Sequence, residues 1–274
     1  MDTNAMILIG QGNTAEIYEY ENDKILKLFR DYMDSTSIEN EYHNSCVAYD
    51  LLMDCVPKVY DMVDYSDRTG IIYQKVIGSD MMKLMLSSVG SLKHLAKELA
   101  HIHHEMQINV NNKKLPSVKE KLIEDLRNVN QLEPEMKEQI LRYLDALPNG
   151  NALCHFDFHP GNIIYCDNNP IIIDWMTACY GDPLSDVART CIMLKHAVVP
   201  NIPNILQPVV NVFKKIILNI YLNEYMLISG CTIEDIEKWY PPIIAARLRE
   251  SIPPVEQKRL LKILMQMPAY GTKS

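Results

Sequence analysis

No C-x-x-C pair occurs among the seven cysteines (46, 55, 154, 166, 179, 191 and 231). An odd count without paired spacing argues against a disulfide framework and predicts reduced core thiols in a cytoplasmic protein. Basic side chains are in the minority, 27 Lys and Arg against 35 Asp and Glu, leaving a net charge of -8. Nucleic acid is therefore not the expected ligand, because neutralising phosphates needs a basic surface. A cationic small substrate suits the acid excess better. The opening MDTNAMILIG lacks a basic region followed by an apolar run, so no secretory signal is expected. The longest apolar segment, 205–222, is interrupted by Pro208, Asn211 and Lys214-Lys215, and cannot span a bilayer. Neither an internal repeat nor a low-complexity tract is found. A soluble protein, with neither membrane nor nucleic acid as partner, is the expectation.

What is present is a change of period along the chain. Residues 6–9, 16–20, 24–29, 56–63 and 71–77 are short runs rich in Ile, Leu, Val and Tyr, separated by turn residues, and predict strands. A helix is predicted over about 36–53, with Asp34, Ser35 or Thr36 available to cap it. From Ser91 onward Leu92, Leu95, Leu99, Ile102 and Met106 recur at helical spacing, as do Leu122, Leu126 and Val129, then Ile140, Leu141, Leu144 and Leu147. Further helices are predicted near 183–198, 203–227, 233–248 and 254–266. A small β-rich part, 1–78, thus precedes a larger helical part, 79–274, with one hairpin embedded in it. The class is α+β, and a cleft between two lobes is a usual place for a ligand.

The embedded hairpin carries the chemistry. In CHFDFHPGNIIYCDNNPIIIDW (154–175) two apolar runs enclose a polar turn, flanked by His155, Asp157, His159, Asn162 and Asp174. A hairpin needs none of these five to fold. Asp and Asn are common turn residues and Pro160-Gly161 makes a turn on its own, so for Asp157 and Asn162 taken as a pair a structural and a functional reading weigh equally. Asp174, at the end of the second apolar run, changes the balance. Oxygen donors such as Asn162 and Asp174 suit Mg²⁺, which takes one or two carboxylates and completes its shell with phosphates and water. A further carboxylate left free of metal, Asp157, can orient a hydroxyl and accept its proton. Asp, four intervening residues, Asn, then an Asp after a strand is the layout of kinase phosphoryl transfer. A zinc site on His155, His159 and Cys154 lacks a second Cys/His pair at zinc spacing. His101, His103 and His104 read as packed and solvated faces of one helix.

The string His155-Phe156-Asp157-Phe158-His159-Pro160-Gly161-Asn162, then Ile173-Asp174-Trp175, then Gly181-Asp182-Pro183-Leu184-Ser185-Asp186, resembles the aminoglycoside phosphotransferase and choline kinase family. The resemblance is specific over these motifs and weaker, though in order, over most of the chain. It implies a protein-kinase-like two-lobe fold, with a small β-rich N-lobe and a larger helical C-lobe. It also implies an ATP- or GTP-dependent phosphotransferase needing Mg²⁺ and acting on a small hydroxylated substrate. The alternatives are a catalytically silent nucleotide-binding module of the same fold and a choline- or sugar-type metabolite kinase. A protein kinase is disfavoured, because the short run from Asp174 to Asp182 leaves no room for a long activation loop.

Under that resemblance Gly10, Gly12 and Thr14, in Ile9-Gly10-Gln11-Gly12-Asn13-Thr14 between two strands, would cover the phosphates. The third glycine of the protein-kinase loop is missing. Lys27, alternating inward among apolar neighbours, would meet the α- and β-phosphates, with Lys24 as its surface neighbour. Glu41 would hold Lys27 by an ion pair, with Glu39 as the other option. Gln74 and Val76 would offer backbone groups to adenine. Asp182-Pro183 reads as a helix cap, and Asp186 as a brace for the catalytic loop. Met176 stands where the family often has an acidic residue.

Overall fold

The structure, a computed structural model, describes residues 6–110, 114–199, 202–203 and 205–267. Residues 1–5, read above for a signal sequence, and residue 204, in the helix predicted near 203–227, lie outside them. The chain forms two compact units, Met1–Lys83 with Pro160–Ala178, and Leu84–His159 with Cys179–Ser274. The hairpin segment after Pro160 is thus grouped with the N-terminal residues, not with the helical part in which it is embedded along the chain.

In the first unit, β1 (Leu8–Gln11), β2 (Ala15–Tyr20), β3 (Lys24–Phe29), β4 (Val59–Tyr65) and β5 (Arg68–Gln74) form one antiparallel sheet, ordered β1-β2-β3-β5-β4. Strand alternation divides β3 between two clusters. Leu26 and Leu28 pack with Tyr65 and Ile72. Ile25 and Phe29 pack with Ile71, Tyr73, Ile38 and Tyr42, the last two from helix α1 (Ser35–Leu52). Lys27 belongs to the second set by register. Asp34 caps α1, accepting from Ser37 N–H at 2.8 Å. Ser66-Asp67 and Asp167-Asn168 are two-residue turns with both φ positive (49° and 64°, 50° and 66°). That conformation favours Asn and Asp and matches the twist of a hairpin. The second of these turns joins β8 (Ile163–Cys166) to β9 (Asn169–Ile172), and β6 (Ser79–Asp80) completes a sheet ordered β6-β8-β9. Of the polar turn that the sequence suggests, Asp167-Asn168-Asn169-Pro170, the last two are strand residues. A Cβ on Gly78 would lie 2.0 Å from the Tyr165 carbonyl, so β8 can approach only glycine there.

The boundary between the units falls within α2 (Met81–Met85), and the second unit then holds α3 (Val89–Met106), α4 (Val118–Arg127), α5 (Pro134–Ala146), β7 (Ala152–Cys154), β10 (Cys179–Gly181), α6 (Pro183–His196), α7 (Gln207–Ser229), α8 (Ile233–Glu237), α9 (Tyr240–Arg247) and α10 (Pro254–Gln266). Leu92, Leu95, Leu99, Ile102 and Met106 are all buried, and α3 packs chiefly on α7. The helix expected over 233–248 is two helices. Pro241 and Pro242 lack the N–H groups that would continue the ladder, so the chain restarts with both in the first turn of α9. Cys154, Cys179 and Cys191 are buried, whereas Cys55 is exposed and Cys46, Cys166 and Cys231 are half-buried, so only some of the thiols belong to the core.

Candidate active site

In the first unit three predicted residues converge. Lys27 Nζ is hydrogen-bonded to Glu41 Oε1 and lies 3.0 Å from Asp174 Oδ1. Register on β3 points Lys27 toward α1, and Glu41 sits one turn beyond Ile38 on the buried face of that helix. Tyr73, on neighbouring β5, donates to the same Glu41 oxygen at 3.1 Å. Burial works to lower the Lys27 ammonium, but Asp174 and Glu41 outweigh it and the net shift is upward. Glu39 is exposed, and Lys24, on the strand face that carries Leu26 and Leu28, pairs with Glu21 at 2.8 Å.

Asp174 has φ of 69°, a left-handed conformation that Asp tolerates better than most residues. Its position follows from the hairpin, because Ile173 N–H donates to the Asn162 carbonyl at 3.0 Å. Asn162 ends a one-turn 3₁₀ helix, Pro160–Asn162, and is 7% exposed. Beyond Asp174 the Trp175 indole N–H donates to Ile172 C=O at 3.0 Å, and Asn44 on α1 donates to Met176 C=O at 3.0 Å. Met176 packs against the Phe29 and Tyr73 cluster, so an apolar side chain is used where the family often places an acid. The part played by Asn44 was missed from sequence; a lone Asn on a helix gives no signal of a partner 132 residues away.

Gly10 lies in β1 opposite Ile17, not in the turn where it was expected. Gly12 N–H closes the turn onto Ala15 C=O at 2.8 Å. Neither glycine has a positive φ, and a Cβ would meet nothing nearer than 3.7 Å at Gly10 and 3.9 Å at Gly12. The fold itself does not need glycine at these positions, which leaves uncovered backbone. Thr14 C=O accepts from Arg30 N–H at 2.9 Å, Gly12 C=O accepts from the Arg30 guanidinium at 3.2 Å, and Tyr32 OH donates to Asn13 C=O. Arg30 and Tyr32 thus brace this loop, and sequence reasoning missed both. Gln74 ends β5, its N–H donating to Lys58 C=O at 2.8 Å, and Val76 follows, half-buried.

In the second unit β7 runs into the loop His155–His159. Asp186, fully buried in the first turn of α6, accepts from His155 N–H at 2.6 Å and Phe156 N–H at 2.9 Å. Arg189 donates to Phe156 C=O, and Thr190 donates to Phe158 C=O at 2.8 Å. Phe156 is held at φ 63°, unusual for a bulky residue. Its neighbour Asp157 keeps a third of its side chain exposed, with His159 Nε2 3.8 Å from Oδ2. Asp182 caps α6, accepting from Leu184 N–H at 2.8 Å, with Pro183 in the first turn. Asp186 therefore joins the loop, two residues from Asp157, to a helix. Among the described residues no three His, Cys, Asp or Glu side chains group as a metal site, so the Cys154/His155/His159 zinc reading has no support.

The profile of the phosphotransferase enzyme family (APH) matches residues 7–205, most of the chain, including every motif above. The chain belongs to this family. Solved structures similar to it include APH(2")-IIa in ternary complex with streptomycin and ATP, with TM-score 0.59 and 18% identity over 97% of this chain and 92% of that one. An aminoglycoside-3'-phosphotransferase of type VIII gives TM-score 0.61 and 14% identity over 89% and 92%. Choline kinase from Cryptosporidium parvum Iowa II gives 0.54 and 13% over 95% and 88%. At such identities the likeness is one of fold, and the α+β architecture is kinase-like. No curated protein matches the chain. Among the described residues no single helix is long and apolar enough to cross a membrane.

Proposed function

We propose that this protein transfers the γ-phosphate of ATP or GTP to a hydroxyl group of a small molecule in the cytoplasm. The observation that carries the reading is the meeting of Lys27, Glu41 and Asp174 from β3, α1 and the end of the hairpin. Residues 1–78 would handle the nucleotide, with Gln74 and Val76 at the base and Gly10, Gly12 and Thr14 at the phosphates. Residues 79–274 would supply the acceptor side. Lys27, fully charged and steered by Glu41, is suited to the α- and β-phosphates.

The donor set fits Mg²⁺. Asn162 and Asp174 are hard oxygen donors brought to one end of the hairpin, and two such ligands leave room for phosphates and water. The chemistry Mg²⁺ supplies at such a pair is neutralisation of phosphate charge. Asp157 orients the acceptor hydroxyl and accepts its proton at a carboxylate oxygen, while the anchored backbone on either side limits its movement. A hydroxylated, cationic acceptor agrees with the net charge of -8. One similar structure was solved with streptomycin and ATP and another is described as a choline kinase, and streptomycin and choline both carry cationic nitrogen and hydroxyl groups.

A panel of aminoglycosides, choline-like amines, sugars and amino alcohols, each with radiolabelled ATP and GTP, tests the proposal. Label transfer to at least one acceptor, abolished by a chelator, is expected. Nucleotide binding without transfer across the whole panel would instead favour a silent binding module.

A further inference from the structure

We infer that Arg68 and Glu16 are positioning residues for the loop 12–14, which they hold through Arg30. The link to nucleotide rests on the reading of that loop as the cover of the phosphates; the geometry of the hold does not. Arg68 opens β5 directly after the Ser66-Asp67 turn, with 22% of its side chain exposed. Its guanidinium donates to three groups at once. Nε donates to Phe29 C=O at 2.6 Å, Nη2 to Leu28 C=O at 3.1 Å, and Nη1 to Glu16 Oε2 at 2.8 Å. The exposed Asp31 carboxylate lies 3.5 Å from Nε. Glu16, on β2, accepts from Arg30 Nη1 with its other oxygen at 3.5 Å. Nη2 of the same Arg30 guanidinium donates to Gly12 C=O at 3.2 Å.

The fork of Arg68 ties this loop to the strand that carries Lys27. β3 pairs with β5 no further than Leu28 with Gly70, so the carbonyl of the buried Phe29 lies beyond the last rung. A buried carbonyl without a donor is costly, and Arg68 supplies the donor. Its remaining N–H groups fix Glu16 in the same act. The Arg68 hydrogen bond holds the Glu16 carboxyl below its usual range, against the opposing effect of burial. Glu16 is thus an anion set between two guanidiniums, one closing β3 and the other closing the loop.

What the hold does to the loop follows from the planar trans peptide, in which an N–H points opposite to the preceding C=O. Gly12 turns its carbonyl to the Arg30 side chain, Asn13 to Tyr32 OH, and Thr14 to the Arg30 N–H at 2.9 Å. The N–H groups of Asn13 and Thr14 are thereby turned away from Arg30 and Tyr32. Successive amides facing one way suit an anion such as a phosphate oxygen. A surface ion pair between Arg68 and Glu16, the bland reading, contributes little and engages only a carboxylate. It gives no reason for one guanidinium to take two main-chain carbonyls at the end of β3.

The test compares Arg68→Lys, Glu16→Gln and the double variant with Glu21→Gln, which removes the Glu21–Lys24 pair between β2 and β3. Lysine keeps the charge of Arg68 but loses the fork. The readouts are amide hydrogen exchange at Arg30, whose N–H donates to Thr14 C=O, and affinity for Mg²⁺–ATP beside that for adenosine. Arg68→Lys and Glu16→Gln are each expected to speed exchange at Arg30 and to weaken Mg²⁺–ATP binding by at least about fivefold, the scale of one hydrogen bond. Adenosine affinity should stay within about twofold of wild type, because the loop is assigned to the phosphates. The double variant should lose no more than Arg68→Lys alone, since both residues act along one path. Glu21→Gln should leave every readout near wild type. Should Arg68→Lys fail to fold, Glu16→Gln decides the matter. Wild-type exchange at Arg30 in the folded variants, equal weakening of ATP and adenosine, or fully additive losses in the double variant would overturn the inference. Absence of nucleotide binding by wild-type protein would overturn the reading of the loop as a phosphate cover instead, while exchange at Arg30 still judges the hold.

Discussion

Lys27 Nζ and Asp174 Oδ1 are 3.0 Å apart although 147 residues separate them in sequence. The contact joins the middle of the large sheet to the end of the β8–β9 hairpin within one compact unit. It also makes Asp174 depend on β3 for its surroundings, so changes on either side should be felt at the other.

Lys27→Met is expected to weaken Mg²⁺–nucleotide binding by at least about tenfold, whereas Lys24→Met stays near wild type. The two lysines lie on opposite faces of β3: Lys27 has 12% of its side chain exposed and two carboxylate partners, and Lys24 has 30% exposed and one. Lys27→Met should also lower stability, because Glu41 loses the cation that compensates its burial. Titration calorimetry beside thermal melting reads both effects. Equal nucleotide affinities in the two variants would remove Lys27 from the phosphate role.

Gly70→Ala should perturb the same constellation from behind. An added Cβ would meet Leu26 Cδ1 at 2.7 Å and Lys27 C=O at 3.1 Å. Leu26 is fully buried and has little room to move, so β3 must shift where it carries Lys27. A loss of about 1–3 kcal/mol by denaturant titration is expected, with weaker nucleotide binding. Unchanged stability would show that β3 and β5 are less closely packed than described.

Much of this was legible along the chain and some was not. The run 24–29 is legible as a strand because it is short, mostly apolar and bounded by turn residues, and β3 matches the predicted bounds; its apolar residues are packed on both faces of the sheet. Leu92, Leu95 and Leu99 announced α3 by their spacing. His103, on that same helix, was read only as one of its faces, since its partners, Asp186 of α6 and Tyr221 of α7, leave no local mark. Gly10, in a G-x-G run between two predicted strands, reads as loop, whereas its strand conformation comes from pairing with Ile17. The strained φ of Phe156 was illegible in principle, being imposed by Asp186 and Arg189 rather than by any preference of Phe.

The helical unit should lose stability as pH falls from about 6.5 through about 4. Burial depresses His196 to about 4, and the cations of Lys195, Arg259, Lys214 and Arg247 act in the same direction. The unfolded chain then binds a proton that the folded chain refuses over that interval, so protonation favours unfolding. His196→Gln, which cannot titrate, should flatten this part of the profile. Melting temperatures at pH 7, 5.5 and 4 for both proteins provide the measurement, and parallel curves would mean that His196 is not kept neutral by the fold.

The most direct test of the phosphotransfer account is kcat of Asp157→Asn on a panel-identified acceptor, measured beside its Mg²⁺–nucleotide Kd. Asp157 is assigned to the acceptor hydroxyl and to neither metal nor nucleotide, and its backbone is held by neighbours that the substitution leaves intact. The account predicts a fall in kcat of ~10²–10⁴-fold, the usual contribution of a positioned general base, with Kd unchanged. Asp174→Asn, as the comparison, should lose kcat and nucleotide affinity together. Wild-type kcat in Asp157→Asn would contradict the account.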